Sequence, residues 1–174
     1  SLATEACAVS VGMCPHRKPL SSLVASANCR SKSAMVSAMN IPGADVVTAR
    51  AGGVGGLDLW SSKRLPNGEW EEPKNLGNVI NTAKNEKSPF IHSDSQTLYF
   101  ASDGHPNLGG YDIFYSKFDE DVIAWTEPVN IGYPINTDSD EIGLFVSLNG
   151  KKAYFNSNKL KGMGGWDLYE FDLY

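Results

Sequence analysis

The chain has 174 residues, 41% hydrophobic and 20% charged, with a formal net charge of −5. That length is sufficient for a domain with a sizeable core, and the composition is that of a globular protein. No apolar run approaches the roughly 20 residues of a membrane-spanning helix. The acidic balance argues against general nucleic-acid binding, which relies on Lys and Arg contacts to phosphate, and supplies no polybasic patch for anionic lipid.

These averages conceal two regions. All 18 aromatic residues lie after residue 45, and the three cysteines, Cys7, Cys14 and Cys29, lie before it. Residues 1–45 are rich in Ser and Ala, without sustained periodicity, and read as an atypical, poorly ordered extension. Their bias loosely resembles a transit peptide but lacks clear amphipathicity. An odd cysteine count cannot pair completely within one chain, and neither the cysteine spacing nor His16 makes a zinc signature.

From residue 46 the sequence predicts short strands. "VVT" (46–48), "LDLWSSK" (57–63) and "WEEPKNLG" (70–77) come first. "SPFIHS" (88–93), "TLYFAS" (97–102) and "YDIFYSKF" (111–118) follow, rich in aromatic and β-branched residues and bounded by Gly, Asn, Asp and Ser. A fourth strand is expected through "AWTEPVNIG" (124–132), where Pro128, like Pro73 before it, suits an edge because proline has no N–H for the ladder. "IGLFVS" (142–147), "KAYFNS" (152–157) and "WDLYEF" (166–171) complete the series. "SDSQ" (93–96) and "SLNG" (147–150) read as hairpin turns.

The order repeats. "GGLDLWSSK" begins at Gly55, "GGYDIFYSK" at Gly109 and "GGWDLYEFD" at Gly164, at intervals of 54 and 55 residues. "EPKNLGNVINT" (72–82) returns as "EPVNIGYPINT" (127–137), and Trp70, Glu86 and Phe90 return as Trp125, Glu141 and Phe145. Four antiparallel strands in about 55 residues is the size of one β-propeller blade. The expected fold is therefore all-β, with about two and a half antiparallel four-stranded blades: 46–87, 88–141 and 142–174. A closed propeller usually needs four to eight blades. Because the repeat begins within a blade and stops at a motif boundary, the expectation is a piece of a longer propeller, or one completed by partner chains.

The pattern "LYFASDG…GGYDIFYSK…W…PVNIG.PINT..DE" resembles the TolB/WD-like β-propeller repeat, most closely the propeller region of OmpA-family envelope proteins associated with type IX secretion and gliding. The resemblance covers about residues 46–174. It implies a non-enzymatic scaffold or protein-interaction module in the periplasm or at the outer membrane, with protein partners of the cell envelope and no cofactor. Two alternatives stay open: a propeller binding glycans or peptidoglycan fragments, and the non-catalytic propeller of a larger hydrolase.

Candidate chemistry divides along the same repeat. The pairs Gly55–Gly56, Gly109–Gly110 and Gly164–Gly165 lack a phosphate-loop signature and read as turn glycines supplying positive φ. Asp58, Asp112 and Asp167 recur in every unit, whereas a catalytic acid is needed once. A short carboxylate after a glycine turn can instead accept N–H bonds from the preceding loop. The stretch "NTDSDEIG" places Asp138, Asp140 and Glu141 together, a candidate for calcium, although its earlier counterpart "NTAKNEKS" lacks the acidic pair. Trp70 and Trp125 are candidate stacking platforms for sugars, with blade packing as the simpler use; Trp60 and Trp166 fall on positions that take other large apolar residues. Ser88, His92 and Asp94 lie near one another without a nucleophile-elbow motif, and His105 reads as a surface loop residue. No catalytic residue and no metal ligand is assigned.

Overall fold

The structure, a computed structural model, describes residues 37–41 and 44–173. The cysteines and most of the expected N-terminal extension lie outside the described residues. What is described is all-β, without a helix, in three antiparallel sheets, none of them closed into a barrel.

The first sheet has the order β1 (Ser37–Ile41), β2 (Ala44–Ala51), β3 (Leu57–Ser62) and β4 (Lys74–Asn75). It takes in residues before position 46, where the sequence repeat begins. The second is built from β5 (Glu86–Ile91), β6 (Thr97–Ser102) and β7 (Asp112–Asp119), with β8 (Ala124–Trp125) and β9 (Val129–Asn130) both on the free side of β7. The third has β10 (Glu141–Val146), β11 (Lys152–Ser157) and β12 (Asp167–Asp172), with β12 at its edge. The expected unit limits at 87/88 and 141/142 cut through β5 and β10, because Glu86 and Glu141 are already paired, with Ser102 and Ser157.

The strand expected at 124–132 is two short pieces. Trp125 pairs with Phe118, and Asn130 with Phe114. Pro128 lies between them and has no N–H for the ladder, so the pairing breaks there. The 55-residue repeat survives in backbone detail. The β5–β6 ladder slips between Lys87 and Phe90, and β10–β11 slips between Ile142 and Phe145. Ser88 and Gly143, 55 apart, carry positive φ of 52° and 68° inside these bulges.

Side chains alternate across each strand, so one sheet can feed two cores. Ile91, Leu98, Phe100 and Phe114 pack with Ala49, Leu59 and Ile80 between the first and second sheets. Phe90 and Ile113 pack with Leu144, Val146, Ala153 and Phe155 between the second and third. Accordingly β5 touches β1, β2 and β3, while β10 touches β5, β6 and β7. Burial of each such aliphatic side chain contributes roughly 1.5–3 kcal/mol.

Candidate functional site

The repeated corner at the head of β3, β7 and β12 is where the polar residues of the repeat converge. In the first unit Asp58 is fully buried, and its carboxylate accepts from the Val54 amide, the Gly55 amide (3.0 Å) and Asn75 Nδ2 (2.8 Å). In the second, Asp112 is equally buried and its Oδ2 accepts from the Leu108 amide and Asn130 Nδ2, both at 2.7 Å. Asp167 is half-buried and accepts from the Gly164 amide at 3.2 Å. The loop N–H groups that precede Asp58 and Asp112 would otherwise lose their partners when covered by the neighbouring unit.

A second asparagine continues the chain of bonds. Asn81 Oδ1 accepts from the Leu59 amide (2.7 Å), and its Nδ2 donates to the Leu59 carbonyl (3.0 Å) and to Asn75 Oδ1 (2.9 Å). Asn136 does the same to Ile113 (2.9 and 2.8 Å) and to Asn130 Oδ1 (2.7 Å). One side-chain amide thus bonds both backbone groups of a fully buried residue, whose carbonyl also accepts from the Leu76 or Ile131 amide. The Asp–Asn–Asn relay crosses from one unit to the loop leading into the next.

Beside it stands a carboxylate relay. Glu86 accepts from the Thr82 amide (2.9 Å), Thr82 Oγ1 (2.7 Å) and Ser102 Oγ (2.8 Å). Glu141 accepts from the Thr137 amide (2.7 Å), Thr137 Oγ1 (2.8 Å) and Ser157 Oγ (2.7 Å). The repeat aligns Glu86 with Glu141, and of the two only Glu141 carries a sequence-based expectation, as a calcium ligand; Asn75, Asn130, Asn81, Asn136, Thr82, Thr137, Ser102 and Ser157 carry none. The available signal was that polar residues recur at fixed places inside "NLGNVINT" and "NIGYPINT".

The glycine pairs differ from expectation. Gly55, Gly56, Gly109 and Gly110 do not have positive φ. They are instead sites of close approach: a Cβ on Gly55 would fall under 3.0 Å from the Thr82 carbonyl, and one on Gly109 under 3.0 Å from the Asp138 backbone. The loop before the next sheet lies directly on them, held by Gly56 N–H to the Lys84 carbonyl (2.6 Å) and Gly110 N–H to the Ser139 carbonyl (2.7 Å). Of the three pairs, Gly164–Gly165 alone has positive φ, 113° and 72°, and there a Cβ would meet nothing within 4 Å.

The acidic stretch does not converge as a calcium site would require. Glu141 is fully buried and engaged by Thr137 and Ser157, so it is not available to a ligand. Asp140 accepts from the Tyr111 amide (2.9 Å) and Asn158 Nδ2 (2.9 Å). Asp138 is exposed and pairs with Lys159 at 2.7 Å, and that ammonium holds its carboxyl below the usual range. Among the described residues, no group of three or more His, Cys, Asp or Glu is placed to hold a metal ion.

The two aligned tryptophans have different surroundings. Trp125 is half-buried, edge-on to Phe118 at 5.3 Å, and packs against the first core. Trp70 is 41% exposed, with the Arg64 guanidinium over its ring at 6.0 Å. Trp60 lies under Arg50 at 5.0 Å, and Trp166 is exposed.

His105 is not a simple surface residue. Its Nε2 is 2.9 Å from the Ile80 carbonyl, and its ring packs on Phe100 and Phe114. His92 Nδ1 lies 3.3 Å from Asp94 Oδ2. Asp94 itself closes the β5–β6 turn. Partial burial pushes its pKa up, but hydrogen bonds from the Thr97 hydroxyl, the Gln96 and Thr97 amides and His92 outweigh this and hold it at about 2. At the corner between the second and third units, Lys87 Nζ stands 3.3 Å from the centre of the Tyr111 ring, and burial lowers its pKa against the opposing pull of Asp140 and Asp103.

The corners at Asp58 and Asp112 are therefore joints, in which a buried acid and its glycine pair receive the asparagine-bearing loop that leads to the next unit. Comparison of the chain with protein-family models, with curated proteins and with solved structures yielded no match.

Proposed function

We propose that the chain is a β-propeller segment that serves as a non-enzymatic scaffold or protein-interaction module of the bacterial cell envelope. Three antiparallel sheets stacked in sequence order, joined by the same Asp–Asn–Asn relay at a 54–55-residue interval, are what consecutive blades would require. The observation that carries the non-enzymatic reading is the state of the recurring acids. Asp58, Glu86, Asp112 and Glu141 are fully buried and accept hydrogen bonds from the fold's own donors. Acids held in this way in successive units serve architecture, and the sheets they join present loops as the recognition surface. The envelope location rests on the resemblance of the repeat.

Cell fractionation combined with cross-linking tests the proposal. The protein should be found with the periplasmic or outer-membrane fraction, cross-linked to other envelope proteins. Recovery in the cytoplasm would overturn the location. Turnover of peptide or glycan substrates would overturn the scaffold role, and tight binding to peptidoglycan fragments without protein adducts would favour the glycan-binding alternative.

A further inference from the structure

The hairpins that follow β3 and β7 occupy the same place in their units but end in different tips. Lys63 and Lys117 are 54 residues apart, whereas Trp70 and Trp125 are 55 apart, so the second hairpin carries one extra residue. Their stems match, with Arg64 paired to Trp70 and Phe118 to Trp125. The first turn is Pro66-Asn67-Gly68, residue types suited to a turn, and Gly68 takes the left-handed conformation at φ 87°. The second is Glu120-Asp121-Val122-Ile123, and Ile123 stands in the place of Gly68 with φ 56°. A β-branched residue is disfavoured there, because its Cβ crowds a backbone carbonyl.

Packing does not offset that cost, since Val122 and Ile123 are 69% and 78% exposed. The hairpin belongs to the middle sheet, both of whose faces are packed by neighbouring sheets, so this exposure is a property of the unit itself. The stem beneath is fixed. Phe118 and Trp125 meet edge-on at 5.3 Å, the Phe118 amide donates to the Gln96 carbonyl (2.7 Å), and Gln96 Nε2 donates to Glu120 Oε1 (3.2 Å). Asp119 Oδ1 accepts from the Asp121 amide (2.9 Å) and the Val122 amide (3.3 Å) and so closes the turn. Two aliphatic side chains are thus presented on a preformed hairpin, directly after three exposed acids, Asp119, Glu120 and Asp121.

We infer that the Val122–Ile123 tip is a docking knob for a partner protein, received by an apolar pocket whose rim carries Lys or Arg. The aliphatic pair supplies the anchor that becomes buried, and the preformed turn lowers the ordering cost of binding. The acids select the partner's charge, because three carboxylates in a row are repelled by an acidic rim and attracted by a basic one. They also disfavour the other use of an aliphatic tip, insertion into a bilayer, whose anionic headgroups attract basic segments. The inference rests on the reading of the chain as a protein-interaction module and is independent of the envelope location.

Photocross-linking in the cells that produce the protein tests it, with a photoreactive residue in place of the exposed Ala124 beside the tip. A protein adduct is expected, mapped by mass spectrometry to a Lys- or Arg-rich surface of the partner. Ile123→Gly should lower the adduct yield at least about tenfold through loss of the apolar anchor. The same substitution should raise the melting temperature by about 2–4 °C, by relieving the strained position. Glu120→Gln with Asp121→Asn should weaken the adduct at low salt and flatten its salt dependence. An adduct unchanged by Ile123→Gly overturns the inference and leaves the interaction-module reading in place. So does absence of an adduct at this position when photoreactive residues elsewhere on the surface give them; absence everywhere overturns both. A melting temperature lowered by Ile123→Gly would show that Ile123 serves the fold, and binding to phosphatidylcholine vesicles that is lost with Ile123→Gly would assign the tip to a membrane. Either result overturns the inference.

Discussion

Asp140 and Asn158 make the same contact as Asn85 and Asp103, with acid and amide exchanged. Asp140 N–H donates to Asn158 Oδ1 (3.1 Å) and Asn158 Nδ2 to Asp140 Oδ2 (2.9 Å). One repeat earlier, Asn85 N–H donates to Asp103 Oδ1 (2.8 Å) and Asn85 Nδ2 to Asp103 Oδ2 (3.2 Å). In both cases the leading residue also accepts from the preceding corner, from Leu57 N–H (3.1 Å) or Tyr111 N–H (2.9 Å). The contact therefore needs one acid and one amide and is indifferent to their order. Asn158→Asp alone should destabilise by about 1–2 kcal/mol, by facing two carboxylates across the contact. Adding Asp140→Asn should recover at least half of that loss in urea denaturation; a double variant no better than the single would refute the equivalence.

Asp112 and Asp167 should differ in stability effect although they share a motif. Asp112→Ala removes a buried acceptor from Leu108 N–H and Asn130 Nδ2 and should cost roughly 1–3 kcal/mol. Asp167→Ala removes one longer, partly exposed bond and should cost less than about 1 kcal/mol. Equilibrium unfolding of both variants decides the matter, and equal losses would contradict the burial argument.

The covered glycines should resist enlargement. Gly109→Ala would force its new methyl against the Asp138 backbone, which cannot move aside as a flexible side chain could. A loss of about 1–3 kcal/mol is expected, the usual range for overpacking. A variant as stable as the parent would mean that the loop can shift freely from the glycine pair.

Calcium should leave the melting temperature unchanged at millimolar concentration. Binding through the acidic stretch would have to withdraw Glu141 from its Thr137 and Ser157 donors and Asp138 from Lys159. A saturable upward shift in a calcium titration would show that the loop rearranges into a site.

Acid should reveal the Asp94 turn. Its carboxyl has a depressed folded pKa, about 2 against an ordinary 3.8, so its contribution is complete above pH 3.8 and is lost as the pH falls through about 2. For this partly exposed group the contribution is small, no more than about 1 kcal/mol. The difference in melting temperature between the parent and Asp94→Asn should therefore shrink as pH is lowered from 5 to 2. A difference independent of pH would argue that packing, rather than the charge, holds the turn.

The strands were largely legible because aromatic and β-branched runs alternate with turn residues, and because the repeat shows the pattern more than once. β1 was not, since it precedes the repeat in a stretch without aromatic residues. The break between β8 and β9 is local chemistry at Pro128 that a continuous reading overlooked. The acids of the joint stood out next to their glycines, but the asparagines did not, because Asn in a polar stretch reads as a turn former. Only burial distinguishes Asn81 and Asn136, 1% and 0% exposed, from ordinary loop amides. Close approach at Gly55 and Gly109 was equally hidden, since it depends on residues 27–30 positions away that the fold brings into contact.

Phe90 and Ile91 are chain neighbours, yet they belong to different cores. The middle sheet is thus gripped from both sides, and each outer sheet, among the described elements, has one packed face. Nearest-neighbour coupling of this kind makes cohesion a property of the row. Under load or mild heating the middle sheet should be the last to lose its packing, since loss of either neighbouring sheet still leaves one of its faces covered.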